Sequence, residues 1–181
     1  MVALLLTQRL VDTGAPPLKA AEFWSLVDAV ADLGALLGTG PDEVSRTAQI
    51  DQSAATRIVT LLDAATSFAF ALDDAQQGGL SVFSALSERF PTRLRERLGK
   101  SAPPLLYALG DTDLLADAGL GIVGSRAVSE AGAELAKDAA ATAVNHGLGV
   151  ISGGAKGTDL LAMNAAVDAG GTALGVLADS L

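Results

Sequence analysis

The chain has 181 residues, enough for one ordinary domain or two small ones, and half of them are hydrophobic, so a real core can form. It contains no Cys, which excludes disulfides, thiolate metal sites and a Cys nucleophile, and which fits a cytoplasmic protein. The net charge is -9, which argues against a nucleic-acid protein working through a broadly basic surface but leaves room for a local basic pocket.

The first residues, Met1 to Arg9, lack the basic region and longer apolar run of a signal peptide. Ile58 to Leu72 is too short and too polar to span a bilayer, so no membrane is expected as a partner. Residues 1–78 read as a mostly helical N-terminal domain. After Pro16 and Pro17, the residues Phe23, Leu26, Val27 and Val30 recur at helical spacing. Gly34, Gly38 and Gly40 interrupt the pattern, and Pro41 marks a new helix start with Thr39 as its cap. One long helix is expected from near Asp51 to Gln77, with Ile58, Leu61, Leu62, Phe68 and Leu72 on its apolar side and Gly78-Gly79 as its stop.

Residues 79–110 read as a connecting segment. Leu80 to Leu86 alternates like a short strand, and Leu105 to Leu109, after Pro103 and Pro104, reads as an extended edge strand. Between them lie Arg89, Arg93, Arg95, Arg97 and Lys100, five of the twelve Lys and Arg residues. Such a cluster is ordinarily a solvated face; contact with nucleic acid is the sharper reading.

Residues 111–181 change to an α/β pattern. Leu120 to Val123 is a short buried strand. A helix follows from about Ser129 to Asn145, with Leu135, Ala139 and Ala143 on one stripe and Gly147 just past its end. Leu148 to Ile151 is a second strand, Thr158 to Asp168 a second helix stopped by Gly170-Gly171, and Thr172 to Leu177 a third strand. Strand, helix, strand, helix, strand is the pattern of two βαβ units in an α/β fold: a partial, Rossmann-like parallel sheet of about three core strands.

Ligands of open α/β sheets bind at the carboxyl ends of the strands. Two glycine-rich loops fall there: Gly124-Ser125-Arg126, and Ser152-Gly153-Gly154-Ala155-Lys156-Gly157-Thr158-Asp159. Each leads to a helix start and carries one cation, a combination suited to one or two phosphates. Alternatively the glycines only serve tight turns. Neither Walker A, which needs Lys directly before Ser or Thr, nor the G-x-G-x-x-G fingerprint fits the spacing. His146, the single His, lies at a helix end and makes no metal site with a second ligand. Trp24 and Tyr107 read as packing residues rather than base-stacking platforms. Asp159 is read either as a ligand contact or as a helix cap.

Gly121 to Ser129 resembles the first signature of the DNA-processing protein A (DprA/Smf) family, and Ser152 to Asp159 resembles its second. The segment from Arg89-Phe90-Pro91 to Asp111 and the return at Gly170-Gly171-Thr172 are similar too. The resemblance implies sequence-independent binding of single-stranded DNA through its phosphates, protection of incoming DNA, and loading of the RecA recombinase in natural transformation and recombination. It implies no catalysis and no cofactor. Carried over by position, Gly124, Ser125, Arg126 and Ser129 form a first phosphate-binding loop; Ser152, Gly153, Gly154, Lys156, Gly157 and Asp159 form a second. Ala131 stands where an aromatic often follows, and Thr158 replaces the usual Ile. The family core normally continues beyond three strands, so the chain reads as a fragment or a degenerate paralogue, which leaves open whether it forms a homodimer. Two alternatives remain. A small-nucleotide sensor would suit the acidic charge. A nucleotide hydrolase of the lysine-decarboxylase-like superfamily would need a Pro and a Glu that this loop lacks.

Overall fold

A computed structural model describes Leu4 and residues 11–177. The chain divides into two compact units, Met1–Gly110 and Asp111–Leu181. Before residue 78 the first unit is helical, with no strand among its described residues.

Helix α1, Ala20–Ala29, buries Phe23, Trp24 and Leu26. The two rings meet edge to face at 5.3 Å, and the Trp24 indole N–H donates to the Ala102 carbonyl at 2.9 Å. Trp24 is therefore a core residue whose one polar atom is satisfied. A 3-10 turn over Leu33–Leu36 follows, and then α2, Pro41–Ala48. Pro41 opens α2 as expected, but Gly40 is the cap residue; the Thr39 hydroxyl turns back to donate to the Leu36 carbonyl.

The single long helix expected from Asp51 to Gln77 is two helices. Helix α3, Gln52–Asp63, starts on an Asp51 side chain that accepts from the Ala54 amide, and α4 covers Ala65–Gln77. The axes bend by 52° at Ala64. At Ala64 the backbone leaves helical geometry, with φ −83° and ψ 4°. Ile58, Leu61 and Leu62 are buried in α3, while α4 buries only Phe68. No single described helix is long and apolar enough to cross a membrane.

Strands β1, Leu80–Ser84, and β2, Leu105–Leu109, pair antiparallel with Leu80 opposite Leu109 and Ser84 opposite Leu105. Between them lies α5, Thr92–Leu98, a helix unseen in the sequence pattern.

The second unit is a three-stranded parallel sheet, the Rossmann-like arrangement. Strands β3, Gly119–Gly121, β4, Gly149–Ser152, and β5, Ala173–Gly175, stand in the order β3-β4-β5. Their connections are α6, Glu130–Asn145, and α7, Thr158–Asp168. β3 and β5 are shorter than the sequence pattern suggested, and β3 is exposed rather than buried; β4 keeps four residues but starts one residue later, at Gly149. Single further bonds, Ile122 N–H to the Ile151 carbonyl and Val176 N–H to the Ser152 carbonyl, carry the pairing one residue on.

Helices α6 and α7 share a core of small residues: Ala140, Val150, Ala162 and Ala166, each fully buried. The expected stripe on α6 is rotated. Ala136, Ala140 and Ala143 are buried, whereas Leu135 is 71% exposed and Ala139 half-buried. The close approach of α7 admits alanine side chains and not leucine. Gly147, with φ +73°, ends α6 in the left-handed conformation, and Gly171 lies so close to Val144 that a side chain there would collide with it.

Two outcomes are expected. Ala162→Leu should overpack the α6–α7 interface and cost about 1–3 kcal/mol, seen as a lowered melting temperature. In α1, the Glu22 carboxylate accepts from the Lys19 amide and pairs with Arg57, each at 2.7 Å. Burial pushes this carboxyl up, but the Lys19 amide and Arg57 together outweigh it and hold it below the ordinary range. A carboxyl held down in the folded state stabilises above its unfolded value and loses that contribution as pH falls through its folded value. Glu22→Gln should therefore lower the melting temperature slightly at neutral pH and make no difference in acid, on thermal melts across that range.

Candidate nucleic-acid interface

At the carboxyl end of β3 the chain passes through Gly124, Ser125 and Arg126 to Ser129, whose hydroxyl accepts from the Gly132 amide and so caps α6. At the carboxyl end of β4 it passes through Gly153, Gly154, Ala155, Lys156 and Gly157 into α7. Hydrogen bonds and one close backbone approach clasp the two loops together. The Asp159 carboxylate accepts from the Gly124 amide at 3.2 Å and, through its other oxygen, from the Ala155 amide at 3.4 Å. The Ser125 carbonyl accepts from both the amide and the hydroxyl of Thr158, at 3.1 and 3.2 Å. The Ser152 hydroxyl donates to the Ile122 carbonyl at 2.6 Å. Finally, Gly157, with φ +95°, lies flat against Ser125 and Arg126, where any side chain would run into the Ser125 carbonyl.

These contacts sort the residues by what they can do. Ser152 and Asp159 are buried beneath the loops, and their polar atoms are spent on the clasp. Gly124 and Gly157 allow close approach: a Cβ on Gly124 would lie 2.6 Å from the Thr158 hydroxyl. Ser125, Arg126, Gly153 and Lys156 are exposed, and Gly154 is half-buried. Neither Arg126 nor Lys156 forms an ion pair among the described residues. The amides of Ser125, Arg126, Gly153, Gly154 and Lys156 donate to no group among those residues. Exposed amides beside two cations are a surface that can receive an anion.

The start of α7 contributes less than a bare helix end would. Thr158 N–H is taken by Ser125, Leu160 N–H by the Ala155 carbonyl, and the Asp159 carboxylate already sits in the first turn. The sequence reading missed Thr158, noting it only as a departure from Ile; its position as the first residue of a helix after a glycine was the available signal. It also missed the return of β5, whose Val176 and Leu177 flank Gly153 and Gly154.

Other sequence candidates lie apart from the loops. The His146 ring Nδ1 sits 2.8 Å from the Thr142 carbonyl at the end of α6. A shallow groove of about 480 Å³ lies between Leu120 and the outer face of α6, lined by Leu135, Asp138, Thr142 and Leu148 among others, and none of its residues belongs to either loop. No group of three or more acidic or His side chains suited to a metal occurs among the described residues.

The fold is a Rossmann-like parallel sheet with two glycine-rich loops meeting at the carboxyl ends of β3 and β4. A family model described as DNA recombination-mediator protein A matches residues 81–181. The chain is similar to "DNA processing protein DprA" of Streptococcus pneumoniae (strain ATCC BAA-255 / R6), with 37% identity over 99 residues that cover 55% of this chain and 34% of that protein. The X-ray structure of DNA processing protein A (DprA) from Streptococcus pneumoniae shares the fold, with a TM-score of 0.57 at 24% identity over 88% of this chain and 58% of that one. The chain thus spans from about a third to somewhat over half the length of these two relatives. It belongs to the DNA recombination-mediator protein A family.

The clasp predicts its own failure. Asp159→Ala should leave two amides without their acceptor and cost about 1–3 kcal/mol. Amide exchange at Gly124 should speed up with it, while exchange in the α1 core stays unchanged.

Proposed function

We propose that the second unit binds single-stranded DNA without sequence preference, through phosphates held on the two clasped loops. The observation that carries this is the pairing of exposed amides with Arg126 and Lys156 on loops already fixed by Asp159, Thr158 and Ser152. Arg126 can fork two hydrogen bonds to a phosphate, and Lys156 adds a point charge. Ser125, Gly153 and Gly154 supply backbone donors, and Ser129 borders the first loop. Contacts made to phosphates position a backbone and read no sequence.

Membership of the family extends the reading. The protein is proposed to process DNA for transformation and recombination in the cytoplasm, protecting single strands and delivering them to the RecA recombinase, and to do so by binding rather than catalysis. A homodimer would bring two such surfaces to one strand. The net charge of -9 opposes approach of DNA except at local basic sites; binding through the two loop cations should weaken as salt rises, because each phosphate contact releases counterions.

Fluorescence anisotropy with labelled oligodeoxythymidylate at two salt concentrations tests this. Arg126→Ala should cost about 1.5–3 kcal/mol, the range for a hydrogen bond to a charged group, and Lys156→Ala somewhat less, both with unchanged circular dichroism. A folded double variant that binds as well as the parent overturns the site. Competition by free mononucleotides as strong as by the long strand would point instead to a small-nucleotide sensor.

A further inference from the structure

The first unit carries its own concentration of positive charge. Residues 88–100 hold five cations against two carboxylates, Glu88 and Glu96, in a chain whose net charge is -9. The structure divides these cations by role. Lys100 is paired with Asp28 at 2.7 Å. The Arg95 guanidinium lies 5.0 Å over the Trp24 ring and donates to the Ala85 carbonyl at 3.3 Å, so it fastens α5 to the unit. The Arg89 guanidinium lies 5.2 Å over the Phe83 ring. Arg93 and Arg97 are exposed, one helical turn apart on α5, and no carboxylate pairs with either among the described residues.

We propose that Arg93 and Arg97 are a second phosphate-contact surface for single-stranded DNA, separate from the glycine loops. This rests on the reading that DNA is the ligand of the chain. Two unpaired guanidinium groups on one helix face repel each other, a cost that a polyanion relieves by replacing scattered counterions. The α5 framework is fixed before any ligand arrives, because Arg95 is stacked and hydrogen-bonded in place. The aromatics Trp24, Phe83 and Phe90 are buried inside the unit, so the surface offers charge without base stacking and should be indifferent to sequence.

The test is the salt dependence of oligodeoxythymidylate affinity in the full chain. For single strands each phosphate contact contributes about −0.7 to the slope of log affinity against log salt, so the Arg93→Ala/Arg97→Ala variant should flatten the slope by about 1.4. The Arg93→Lys/Arg97→Lys variant should keep the parent slope, since charge rather than shape makes the contact. Melting temperatures should not move in either. An unchanged slope and affinity in the alanine variant, while Arg126→Ala still weakens binding, overturns this inference and leaves the loop site standing. Loss in the α5 variant with none in the loop variants supports this surface and overturns the loop site instead. Polyglutamate displacing the strand from the parent, but not from the alanine variant, as efficiently as unlabelled DNA would make α5 a site for acidic protein and overturn the inference.

Discussion

The buried carboxylate of Asp159 holds together the two loops on which the rest of the second unit's chemistry depends. Removing an ionised carboxylate from water is expensive unless its oxygens are bonded and the local potential is favourable. Both conditions are met: the amides of Gly124 and Ala155 donate to its two oxygens, and it lies in the first turn of α7, at the positive end of the helix dipole. The loops are thereby shaped by the protein itself. On the proposed reading, a phosphate would meet loop amides that the clasp already positions, which leaves more of the interaction energy for affinity.

The clasp works only because the scaffold beneath it is thin and close-set. Alanines at the α6–α7 contact let the two helices pack closely, and the parallel pairing of β3 with β4 sets their carboxyl ends side by side. Gly124 and Gly157 then permit backbone to meet backbone and side chain at distances no other residue would allow. The same economy leaves apolar surface uncovered. Leu135 and Val123 are largely exposed on the β3 side of the unit, and Val176 and Leu177 beyond β5. Among the described residues, β3 and β5 each pair with β4 alone.

Much of this was legible in the residues. The α/β alternation, the glycines that end α6 and α7, and the two loops at the strand ends all follow from local rules, because a glycine stop or a Ser cap acts within a few residues. What local rules did not show depends on distant partners. The break at Ala64 has no Gly or Pro at it to mark it. The rotation of the α6 stripe reflects the nearness of α7. The β1–β2 pairing joins segments on either side of α5. Asp159 was left between ligand contact and cap because its partners are Gly124, 35 residues away, and Ala155; only the folded backbone shows it bonded to both loops. In the same way the basic segment looked uniform as sequence, and the rings of Trp24 and Phe83 are what separate anchored arginines from displayed ones.

If the clasped loops receive a nucleic-acid backbone, their amides must respond to it. The most direct measurement is an amide chemical-shift map of the isotope-labelled chain titrated with oligodeoxythymidylate at low salt. The largest shifts are predicted at Ser125, Arg126, Gly153, Gly154 and Lys156, with the buried amides of Val150 and Ala162 still. Saturable binding that leaves these five loop amides unmoved would place the nucleic acid elsewhere on the molecule.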